Sequence, residues 1–168
     1  KVKECKEELE KETDETKRAE LEKKLQELQE KSDNFVPFKP IVGIEAYCAH
    51  KSRFKEQDHS RGWHLILLAK NKTGYHNLCK LSSYAFIEGL YRNPRIDHEL
   101  LEKYHEGVIC SSACLGGEVP QKIMNGDLKG AEESVLWFKR LFGDDYYLEL
   151  QRHKMDGVNY EQLAINAM

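Results

Sequence analysis

From residue 41 onward, short apolar runs alternate with stretches whose apolar residues recur at helical spacing. Residues 41–49 are β-branched and almost continuously apolar, which predicts a buried strand. A charged loop, 50–62, leads to a second apolar run at 63–70. Asn71 to Gly74 turn the chain, and Thr73 suits the N-cap of a helix over 74–88, with Leu78, Leu81, Ala85 and Phe86 on one face. Residues 89–95 read as a loop, and Asp97 as the cap of a short helix over 98–104. A third strand starts at Gly107, and a short helix over 118–124 stops at Asn125-Gly126. Asp127 opens a longer helix that ends before Gly143, with Val135, Leu136, Phe138, Leu141 and Phe142 as its apolar side. Residues 145–153 read as a fourth strand, and the last residues begin another helix.

The first 32 residues follow a different pattern. They are mostly Lys and Glu, without Gly, Pro or aromatic residues, and Leu21, Leu25 and Leu28 form only a narrow apolar stripe. This predicts a solvated helical arm, broken near residues 13–16 into two antiparallel helices. A partner-binding coiled coil is the alternative, with few heptads to support it. Pro37 and Pro40 end the helical region. The expected division is a charged helical arm or insertion at 1–34 and a second region at 35–168.

Strands separated by helices predict an α/β architecture with mostly parallel pairing. The link between the first two strands carries no helical pattern, so those two are expected to pair antiparallel. No glycine-rich phosphate loop of the usual spacings is present. With 168 residues, 40% of them hydrophobic and 33% charged, the chain is long enough for a real core. The net charge of −3 gives no global basic field, so nucleic-acid contact would have to be local. No apolar run is long enough to span a membrane. Five cysteines without regular spacing read as free thiols in a reducing, cytoplasmic compartment. The chain opens without Met and stops within a helical pattern, which reads as a piece of a longer polypeptide.

Three residues stand out for chemistry. Glu45 is an acid within the first apolar strand, where a carboxylate is costly unless paired or metal-bound. His64 opens the second strand, and Cys114 follows the third, beside Gly116 and Gly117. All three side chains can bind zinc or a similar metal. Each also has a plain structural reading: an ion-pair partner, a structural histidine and a small apolar filler. Arg53, Lys55, Arg61, Arg92 and Arg95 read as exposed charges that could reach a partner or a phosphate backbone, or simply be solvated.

The stretches "KPIVGIEAY", "HLILLAKNKTGYHNL", "KLSSYAFIEGLYRNPRID", "SSACLGGEVPQ" and "FGDDYYLELQRH" together resemble the N-terminal PHP (polymerase and histidinol phosphatase) domain of the alpha subunit of bacterial DNA polymerase III, the C-family replicative polymerase. The resemblance covers residues 39–168, and the arm looks like a lineage-specific insertion. It implies a fragment of a distorted seven-stranded β/α barrel whose metals sit at the C-terminal mouth. It also implies that Glu45, His64 and Cys114 are metal ligands, for zinc or another divalent ion. The glycines beside Cys114 would then let the backbone turn tightly around a ligand.

The resemblance places the family's opening His-x-His and Asp-His motifs before residue 1 and its closing Asp-x-His motif after residue 168, outside this chain, along with the polymerase carboxylate triad and its magnesium. No catalytic or organic-cofactor residue is therefore assigned, and the fragment alone is expected to be inactive. The parent chain would be a DNA-directed DNA polymerase acting with DNA and other replicase subunits. Its PHP region would serve as a 3′–5′ exonuclease or as a dock for the separate proofreading exonuclease subunit. A stand-alone PHP phosphoesterase ranks a distant third. Missing barrel strands would leave sheet edges open for self-association.

Overall fold

The computed structural model describes residues 1–35 and 38–151. The chain divides into two compact units, residues 1–40 and 41–168. The first holds α1 (Val2–Lys11) and α2 (Glu15–Asp33). Between them the Asp14 carboxylate accepts from the Thr16 and Lys17 amides and starts α2. No residue of α2 is buried. Cys5 of α1 is buried, and its thiol points to the Leu21 carbonyl at 3.7 Å.

The second unit contains β1 (Gly43–Cys48), β2 (Trp63–Ala69), α3 (Lys72–Ile87), β3 (Leu90–Tyr91), β4 (Asn93–Ile96), α4 (His98–Tyr104), β5 (Val108–Ser111), α5 (Glu118–Met124), α6 (Leu128–Phe142) and β6 (Tyr146–Tyr147). The strands form one sheet in the order β3-β4-β1-β2-β5-β6. β1 pairs parallel to β4, and β5 parallel to β6. β2 runs antiparallel to both of its neighbours, β1 and β5. The antiparallel first pair is as the sequence suggests. Reversing β2 also makes its far edge antiparallel, which corrects the expectation of mostly parallel pairing.

The register sorts the strand residues onto two faces. Ala46, Cys48, Leu65, Leu67, Val108 and Cys110 are buried, and they share a core with Leu78, Leu81, Leu101 and Phe138 of the helices. Glu45, Tyr47 and His64 lie on the alternate positions of β1 and β2. The run at 41–49 is therefore not buried on both sides: Gly43 and Glu45 are exposed. Several local expectations are corrected in the same way. α3 is capped by Asn71, whose side chain accepts from the Gly74 amide, and not by Thr73. Phe86 faces solvent. Residues 89–95 form the small β3–β4 hairpin. β6 has two residues where a strand over 145–153 is expected; residues 152 and 153, and the final helical pattern, lie outside the described residues.

Arg53 and Arg95 are buried, contrary to the reading of them as surface charges, while Lys55, Arg61 and Arg92 are exposed. Arg95 is fully enclosed and donates to the carbonyls of Gly89, Asp58, Ser60 and Arg53, with the Asp58 carboxylate 3.8 Å away. Asp58 in turn accepts from the Lys51 and Ser60 amides. Burial would raise the Asp58 pKa, but these backbone hydrogen bonds outweigh it and bring it to about 2. Arg53 is clamped by Glu88, Asp97 and Glu99. Two arginines thus hold the 50–62 loop, which has no helix or strand of its own, against β4 and α4. Replacing Arg95 by Met leaves Asp58 and several carbonyls without their partner. The expected cost is about 3–5 kcal/mol in urea unfolding. A loss below about 1 kcal/mol would mean that the loop is held by other contacts.

Candidate metal centre

The reversal of β2 places its first residues beside the C-terminal half of β1. Glu45 is directly opposite Ile66, so His64 is its diagonal neighbour on the same face. The Glu45 carboxylate lies 2.9 Å from His64 Nδ1. Tyr47, directly opposite His64, meets its ring edge-on at 5.1 Å. The Glu45 side chain is 54% exposed, so it is not a costly charge inside a buried strand, contrary to the expectation from the apolar run.

Cys114 reaches the same nitrogen from the turn after β5. Its sulfur is 3.5 Å from His64 Nδ1 and accepts from the Gly116 amide. The turn is stitched to β2: the His64 amide donates to the Gly116 carbonyl at 2.9 Å, and His64 and Gly117 form an isolated parallel bridge. The glycines serve close approach. A Cβ on Gly117 would collide with the Ser112 carbonyl, and one on Gly116 would press on the His64 ring at 3.1 Å. The left-handed residue is Ala113, with φ of 59°, immediately before Cys114. A side chain rarely adopts that conformation, and such strain is common where a turn must aim a functional group.

The structure therefore brings Glu45, His64 and Cys114 to one nitrogen. Ligands on a tetrahedral zinc are roughly 3.3–3.6 Å apart; the sulfur-to-Nδ1 separation of 3.5 Å falls in that range, while the 2.9 Å to the Glu45 carboxylate is a hydrogen-bond distance. Oxygen, nitrogen and sulfur donors also suit that ion. Yet among the described residues no group of three or more His, Cys, Asp or Glu side chains is placed so that it could hold a metal ion. The donor types suit such an ion; their spacing here is that of a hydrogen-bonded cluster around His64.

The buried carboxylate of this region is Glu118, which follows the two glycines. It begins α5, with Gly117 as the preceding cap residue. Ser134 donates to it at 2.6 Å, Lys122 donates at 2.8 Å, and His98 Nε2 lies 3.3 Å away. Burial would raise its pKa, but the hydrogen bonds from His98, Lys122 and Ser134 dominate and lower it from 4.5 to about 2. Lys122 sits four residues on, a spacing visible in the sequence; His98 and Ser134 come from α4 and α6, and no local pattern announces them. The Lys122 ammonium also lies over the Trp63 ring, 5.4 Å from its centre. Glu118 thereby ties α5 and the Cys114 turn to the first residue of β2.

The PHP domain family matches residues 12–153, and the chain belongs to that family. The match begins inside the charged arm. The chain is 56% identical over 118 residues to DNA polymerase III subunit alpha of Borreliella burgdorferi, which covers 68% of this chain and 10% of the relative. The subunit of the same name from Deinococcus radiodurans is 48% identical over 121 residues, covering 68% of this chain and 9% of that protein. That of Thermus aquaticus is 46% identical over 135 residues, covering 76% and 10%. The chain thus spans about a tenth of the length of the curated relatives it matches.

Because the folded-state pKa of Glu118 lies below its unfolded value, its contribution to stability is complete above about pH 4.5 and is lost as the pH falls toward 2. Urea unfolding across that window should show Glu118→Gln about 3 kcal/mol less stable than the wild type at neutral pH. The two curves should converge in acid. Curves that stay parallel would show that the carboxylate's charge is not what the network stabilises.

Proposed function

We propose that this chain is part of the PHP domain of a DNA polymerase III alpha subunit, and that Glu45, His64 and Cys114 contribute ligands to a divalent metal centre there. The observation that carries the reading is the convergence of a carboxylate oxygen and a thiol sulfur on His64 Nδ1. The high identity to alpha subunits across the same region supports it and favours this branch over a stand-alone phosphoesterase. The six-stranded sheet is then read as part of a seven-stranded barrel.

On this reading the parent polypeptide carries out magnesium-dependent DNA synthesis, with DNA and the other replicase subunits as partners. The PHP region cleaves phosphodiesters from the 3′ end of a strand. A divalent metal, zinc for example, would supply a hydrolytic water and offset negative charge on the reacting phosphate. This chain's own residues do the positioning. Tyr47 packs edge-on against the His64 ring, the Gly116 amide donates to the Cys114 sulfur, and Ala113 takes up the left-handed backbone of the turn. The chain by itself is read as inactive toward DNA, because the further ligands and the polymerase triad belong to other parts of the family.

A second reading, docking of the separate proofreading exonuclease subunit, is favoured by an apolar groove of about 360 Å³ between α5 and α6, bordered by exposed Leu128, Leu136 and Leu148. Self-association through sheet edges would use β3 or β6, each of only two residues. Among the described residues no helix is long and apolar enough to cross a membrane.

The metal reading is tested at Cys114. Cys114→Ala should lower the zinc retained by purified protein, and bound zinc should slow alkylation of Cys114 in the wild type several-fold. Zinc content unchanged in the variant, together with equal alkylation rates with and without chelator, would return Cys114 to the role of a packing residue.

A further inference from the structure

The cleft beside His64 has a chemistry unlike the rest of the chain. It encloses about 770 Å³, and its lining includes Arg61, Arg92, His50 and His64 but no acidic side chain. The chain as a whole carries a net charge of −3, so a concave surface bordered by two arginines, with the Glu45 carboxylate held against His64 at its edge, is a local reversal of sign. The buried acids Asp58 and Glu118 are committed elsewhere, the first to backbone amides and Arg95, the second to Ser134, Lys122 and His98.

The two arginines are also uncommitted. Arg53 and Arg95 are locked into acids and carbonyls. Neither Arg61 nor Arg92 pairs with a carboxylate among the described residues. Arg92 has φ of 61°, a left-handed conformation in a side-chain-bearing residue, and its guanidinium lies 5.4 Å from the centre of the Tyr91 ring. The Asn93 side-chain amide reaches the Arg61 carbonyl at 3.5 Å, so the loop before β2 and the β3–β4 turn meet where the arginines emerge. Arg92 borders the cleft without a carboxylate partner, and backbone strain at such a position is a feature of ligand clamps.

The remaining lining is turned inward. Trp63 has His50 stacked on one side at 3.8 Å and the Lys122 ammonium over its ring, which leaves it poorly placed as a platform for a base. The Gln121 amide is used by the Leu115 carbonyl. What the cleft offers a ligand is the charge of two guanidinium groups, which favours phosphate and reads no base.

We infer that Arg61 and Arg92 form a clamp for the phosphate backbone of a single nucleic-acid strand, holding it sequence-independently against the His64 face. The inference rests on reading that face as a phosphoester site, but the clamp itself uses no metal. Guanidinium contacts to two phosphates of a strand release counterions, so the clamp has a measurable salt signature.

The test uses the 168-residue chain, chelator throughout, and a fluorescent oligothymidylate read by anisotropy between 50 and 200 mM salt. The wild type should bind. Arg61→Ala with Arg92→Ala should weaken binding at least tenfold, and lower the slope of log affinity against log salt by about 1.4, two single-strand contacts' worth. Arg61→Gln with Arg92→Gln, which keeps side-chain length, should do the same, and Lys129→Ala should change nothing. Inorganic phosphate and thymidine monophosphate should compete only at far higher concentration than unlabelled strand. No binding by the wild type, or an unchanged slope in both arginine pairs, would overturn the clamp. Competition by a monophosphate as strong as by the strand would make the ligand a free phosphomonoester and also overturn it. Equal competition by poly-glutamate would reduce the cleft to a generic basic surface. Since chelator is always present, these outcomes are read independently of whether Glu45, His64 and Cys114 bind metal.

Discussion

The arrangement of the second unit depends on one strand running the wrong way. β2 is antiparallel to β1 and to β5, while β1, β4, β5 and β6 share a direction. In a sheet of parallel strands, chemistry collects at the carboxyl ends. A reversed strand contributes its amino end to that edge. His64, the second residue of β2, is therefore at the same place as the later residues of β1 and the turn after β5. Had β2 run parallel to its neighbours, His64 would sit at the opposite end from Cys114.

Reversal needs a connection that carries no crossover helix, and that connection has to be held by something. The 50–62 segment is held by charge. Arg95 binds carbonyls along it and Asp58 caps its amides, at an enclosed site where unpaired groups would be expensive. The loop then feeds Gly62, whose φ of 85° a side chain would strain, directly into Trp63 and His64. On the other side of β2, Glu118 and its partners from α4, α5 and α6 fix the start of α5, and with it the glycine turn. The candidate centre is thus braced by two buried ionic groups, neither of which faces it directly.

Much of this was legible in the sequence. The strand–helix alternation, the antiparallel first pair and the caps at Asp97 and Asp127 follow from patterns of a few residues, and the structure has them. Glu45, His64 and Cys114 were singled out by residue type and by resemblance, and they do meet. Glu45 is not a costly buried charge, because a run of apolar residues hides which face of a strand is covered: Ala46 and Cys48 are in the core while Glu45 is on the open side. The burial of Arg53, Arg95 and Glu118 was not legible, since their partners are distant in sequence and an ionic residue looks alike in sequence whether solvated or enclosed. The tightness of the turn was legible in Gly116 and Gly117, but its left-handed residue is Ala113, for which composition gives no hint.

The claim on which the functional reading rests is that these three side chains share a metal. X-ray absorption at the zinc edge of zinc-loaded protein addresses it without reference to activity. The account predicts a mixed shell, with one sulfur at about 2.3 Å and nitrogen or oxygen near 2.0–2.2 Å, and loss of the sulfur contribution in Cys114→Ser. A shell of nitrogen and oxygen alone in the wild type would contradict it.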